Sequence, residues 1–107
     1  MGSPNKPPDT QAILAKLDEV EREMKAAGLW DEGPEPQAKG NFMEMGFEAW
    51  LQWVFLPNAR KAAEDGRLPE KSQVGPIALR QYDYHGHAHE ADRLLRLLHA
   101  FDDLVNR

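Results

Sequence analysis

No cysteine occurs among the 107 residues, which excludes disulfides, thiolate zinc sites and cysteine nucleophiles together. No run of about 18 apolar residues is present, so a membrane-spanning helix is excluded too. The stretch from Met1 to Asp9 is polar and proline-rich and lacks the apolar segment of a secretory signal, which points to a cytoplasmic protein. Basic charge is also scarce. The chain has 13 Lys and Arg against 18 Asp and Glu, a formal net charge of −5. Residues 1–54 hold 5 basic and 10 acidic side chains and residues 55–107 hold 8 and 8, so the acidic excess lies in the first half. Binding to a phosphate backbone depends on Lys and Arg displacing counterions, and direct nucleic-acid binding is therefore not expected. Familiar catalytic patterns are missing: there is no Ser-His-Asp context, no phosphate-cradling glycine loop and no HExxH. No catalytic residue is assigned, no cofactor is implied, and the balance favours a non-enzyme.

What is present is the composition of one small globular domain, 41% hydrophobic and 29% charged. Residues 1–8, with three prolines, are expected to form a flexible leader, and 9–107 a single helical domain. Asp9 has the form of an N-cap. After it Ile13, Leu17, Val20 and Met24 recur at helical spacing up to Gly28, which predicts a helix over 10–27. Leu29 and Trp30 are expected to fold back and pin the proline- and glycine-containing loop that follows. A second helix runs from Phe47 through Pro57, with a kink there, to about Asp65. A short third helix is expected with Pro76 at its first position and its end near Tyr84. Ala91, Leu94, Leu97, Leu98, Phe101, Leu104 and Val105 form the apolar face of a fourth, and no segment alternates as a strand would. The predicted architecture is all-α, a small bundle of three long helices and one short one.

The second helix is unusual. Phe47, Trp50, Leu51, Trp53, Val54, Phe55 and Leu56, laid out at about 100° per residue, surround most of its circumference. Such a helix is either central to a core or keeps a face for a partner. Trp50, Gln52, Trp53, Phe55, Leu56 and Pro57 are therefore the candidate interaction or pocket residues. Gln52 either lines a small pocket or hydrogen-bonds a neighbouring backbone; the long 29–43 loop either covers the surplus apolar face or leaves it to a partner.

The run Glu48-Ala49-Trp50-Leu51-Gln52-Trp53-Val54-Phe55-Leu56-Pro57, with Met45 and Phe47 before it, resembles the signature of the YqcC-like family. Gly28-Leu29-Trp30, a loop proline (Pro34 or Pro36), Leu68-Pro69, and the closing Leu94-Leu95-x-Leu97-Leu98-x-x-Phe101-Asp102-x-Leu104 extend the resemblance from Asp9 onward. It implies a small bacterial helical bundle without an established activity, associated with a tRNA pseudouridine synthase of the C type. A protein partner of that kind is the expectation. One departure is Met43, where the family tends to carry Asp ahead of the second helix; Asn41 or Glu44 would then have to cap it.

A second candidate is the turn bearing His85, His87 and His89 beside Asp83 and Glu90. Imidazoles commonly ligate transition metals, so this turn, or the surroundings of Gln52, is the alternative site for a metal or small ligand. Alternation in a polar turn equally arises without a metal. The carboxylates of Asp102 and Asp103 are expected to be solvated.

Overall fold

The computed structural model describes residues 9–36, 45–84, 86 and 91–106. Helix α1 spans Thr10–Ala26, and the Asp9 carboxylate accepts from the Ala12 N–H at 3.1 Å as the expected cap. Its apolar stripe, Ile13, Leu17, Val20 and Met24, has no exposed surface. Burial of this completeness contributes about 2 kcal/mol per side chain. The helix ends where Gly28 takes φ 76, letting the Leu29 N–H return to the Met24 carbonyl at 2.8 Å. Leu29 and Trp30 fold back on the core, with the Lys25 ammonium 5.0 Å from the Trp30 ring.

Helix α2 is built from three consecutive segments: Phe47–Trp50, a π-helical turn Leu51–Phe55, and Leu56–Glu64. It passes through Pro57 without ending, and Gly66 at φ 68 closes it. Arg60 ties it to α1, donating to Glu21 at 2.7 Å and Asp18 at 3.0 Å.

Helix α3, Val74–Tyr84, begins two residues earlier than the position of Pro76 suggests. Proline is tolerated anywhere in a first turn, where no main-chain N–H has an intrahelical partner. A side chain from another helix sets the start instead. Helix α4, Asp92–Val105, buries Leu94, Leu95, Leu98, Phe101 and Val105 against α1 and α3, while Asp92 and Arg96 pair at 2.9 Å on its outer side. Among the described residues there is no strand, and no helix is long and apolar enough to cross a membrane. The fold is a small all-α bundle.

Candidate functional site

Helix α2 owes its form to Pro57 and to the spacing of its apolar residues. Pro57 has no N–H to give the Trp53 carbonyl, and in a regular α-helix its ring would press on that carbonyl. The turn before it is widened: the Leu56 N–H reaches back five residues to the Leu51 carbonyl. The Gln52 carbonyl consequently receives no proton from Leu56 or Pro57.

The same widening corrects the phase of the helix. Phe47 and Leu51 before the turn are buried, as are Leu56, Ala59 and Ala63 after it. At a constant 100° per residue Leu56 would stand about 180° around the helix from Phe47. The π turn absorbs one residue, so both halves address the same core. Much of the apolarity that a regular wheel spreads all round the helix is thus one face cut in two by a phase slip. Leu56, a candidate docking residue by sequence, has no exposed surface, and Phe55 packs on the core with its ring 5.3 Å from that of Phe101.

Aromatic rings line the inner side of the turn. Phe47 stacks on Trp50 at 5.9 Å and meets Tyr82 edge-on at 5.9 Å, and Trp50 lies 5.7 Å from Phe55. The Tyr82 hydroxyl donates to the Glu48 carboxylate at 2.8 Å. Burial first, then the hydrogen bond and charge of Glu48, raises the Tyr82 pKa above the usual phenol value.

Among the described residues, Trp53 and Val54 are half-buried but are not in the set that packs against the core, and Pro57 beyond them is exposed. The indole N–H of Trp53 is buried and has no hydrogen-bond partner among the described residues.

Gln52 is almost fully buried, and both ends of its amide are occupied. Its Oε1 accepts from the Asp31 N–H at 2.8 Å, and its Nε2 donates to the Asp31 carbonyl at 2.7 Å. The backbone-pairing alternative for this residue is the one the geometry displays. Asn106 makes the same kind of clamp, accepting from the Ser72 N–H at 2.7 Å and donating to its carbonyl at 2.9 Å.

The polar centre that sequence reasoning missed is Asp102. Expected in solvent, it is buried, whereas Asp103 is exposed. Its carboxylate accepts from the Ser72 hydroxyl at 2.5 Å, the Val74 N–H at 3.0 Å and the Gly75 N–H at 2.6 Å. It caps α3 from α4, where negative charge also meets the helix dipole favourably. Gly75 makes the approach feasible, since a Cβ there would lie 2.5 Å from His99 Nδ1 and 2.9 Å from Asp102 Oδ2. The arrangement holds two helices together, with its carboxylate oxygens committed to capping.

His85, His87 and His89 lie outside the described residues, as do Asn41, Met43 and Glu44. Among the described residues no three His, Asp or Glu side chains converge as metal ligands. An open groove of about 300 Å³ lies between α1 and α4, with Ala26 and Leu97 between the charged side chains of Glu19, Arg22, Glu23 and Arg93.

Residues 12–104 match the model of the DUF446 family, described as tRNA pseudouridine synthase C. An uncharacterised protein of Haemophilus influenzae (strain ATCC 51907 / DSM 11121 / KW20 / Rd) is 31% identical over 101 residues, covering 84% of this chain and 89% of its own. No solved structure matches. The π-turned tryptophan helix, the flanking Gly28-Leu29-Trp30 and the α4 apolar stripe all fall inside the matched span, and the chain belongs to this DUF446, YqcC-like family.

Proposed function

We propose that the domain is a cytoplasmic, non-enzymatic accessory module that docks on a protein partner through the outer strip of α2 formed by Trp53 and Val54. The observation that carries this reading is the separation of Trp53 and Val54 from the core on a helix whose other large apolar residues all join it. A half-buried tryptophan has the chemistry of a protein–protein anchor: large contact area and little rotamer entropy. A small-molecule pocket needs convergent polar groups, and the amide of Gln52 is engaged with Asp31. The partner we favour is a tRNA pseudouridine synthase of the C type, because the matching family model carries that description.

The test is retention of the cognate synthase on the immobilised native domain and on Trp53→Ala. Trp53→Ala is expected to remain folded, checked by circular dichroism, and to lose the synthase. Absence of a complex with either protein overturns the assignment.

A further inference from the structure

We infer that Val54 is a surplus residue, inserted into an otherwise regular amphipathic helix, and that the π turn it creates serves the outer face of α2 rather than the core. The register carries the inference. Leu51 and Leu56 are both fully buried although five residues apart, a spacing that a regular helix cannot place on one side. With Val54 removed, Phe47, Trp50, Leu51, Phe55, Leu56, Ala59 and Ala63 fall within an arc of about 140°, a core-facing stripe at ordinary geometry. The core therefore has no use for the extra residue. Val54 itself stands outside the core set, and the turn leaves the Gln52 carbonyl without a donor from Leu56 or Pro57. Widened turns of this kind are frequent at functional sites. The shared burial of Leu51 and Leu56 holds the turn with or without Pro57, whose ring the widened geometry accommodates. The second half of the inference, service to the outer face, rests on the docking reading above.

The experiment compares three chains: native, Pro57→Ala, and Pro57→Ala with Val54 deleted, the proline being replaced so that the regularised helix carries no clash. Helical content and thermal midpoint report on the core, and retention of the synthase on the outer face. The deletion is expected to fold cooperatively with a midpoint no lower than that of Pro57→Ala and to lose the synthase that Pro57→Ala still holds. A deletion chain that does not fold, while Pro57→Ala does, overturns the insertion. One that folds and retains the synthase overturns the outer-face role. If the native chain retains no synthase, the docking reading and the outer-face role fall together, and the midpoints still decide whether Val54 is surplus.

Discussion

The side-chain amide of Gln52 holds the main chain of Asp31 at both its N–H and its C=O, at 2.8 and 2.7 Å. The residue that looked most like a polar visitor in an apolar run is a fastener between α2 and the loop that leaves α1. Replacing it with Leu is expected to lower stability by about 2 kcal/mol, two hydrogen bonds at about 1 kcal/mol each. Gln52→Glu sets a carboxylate oxygen against the Asp31 carbonyl in a buried site, so at neutral pH it should lose at least as much as Leu. Urea denaturation of the three proteins checks the order.

Asp102 predicts a larger loss. Asn at this position offers one acceptor where a carboxylate satisfies Ser72, Val74 and Gly75. Asp102→Asn is expected to cost about 3 kcal/mol, read from denaturant midpoints, with faster amide exchange at Val74 and Gly75.

Gly75→Ala should destabilise by about 2 kcal/mol through overpacking, because its Cβ would sit 2.5 Å from His99 Nδ1. Combining it with His99→Ala removes that neighbour. The double variant should recover part of the loss, an interaction measurable in a double-mutant cycle.

The ion pairs set an acid limit. Lys25 first, and Arg60 with it, hold the Glu21 carboxyl below its ordinary value of 4.5 against the opposing effect of burial. A carboxyl whose folded pKa is depressed contributes stability above its unfolded pKa and loses it as pH falls through the folded value. Native chain and Glu21→Gln should therefore differ by about 0.5 kcal/mol at neutral pH, a solvent-screened amount. The gap should close as pH drops below about 4. Thermal midpoints across pH 2–7 measure it, on the order of a few degrees at most.

Which features could be read in advance follows from how local their causes are. The α1 stripe Ile13, Leu17, Val20 and Met24 obeys one unbroken period, and the Asp9 cap and Gly28 stop are set by their neighbours, so a short window of sequence contains them. The register of α2 defeats a constant-period reading because the period itself changes at Leu51–Phe55. The clue was present: two apolar sets, Phe47 and Leu51, then Leu56, Ala59 and Ala63, are out of phase by one residue just ahead of a proline. Asp102 left a fainter trace: it shares the helical phase of Leu95, Leu98 and Val105, whereas Asp103 lines up with Arg96 and His99. Its partners, however, lie 27 to 30 positions away. The candidate site was legible as a helix, and the division of its faces became legible only with the π turn in view.

The two amide clamps have a consequence for how the bundle loosens. Gln52 and Asn106 grip their loops with neutral groups that neither titrate nor lose strength to electrolyte, whereas the Arg60 bridge between α1 and α2 does both. Acid or brine should then weaken the charged seam between α1 and α2 by a fraction of about 1 kcal/mol while the connectors at Asp31 and Ser72 stay fastened, as a book's binding outlasts its clasp.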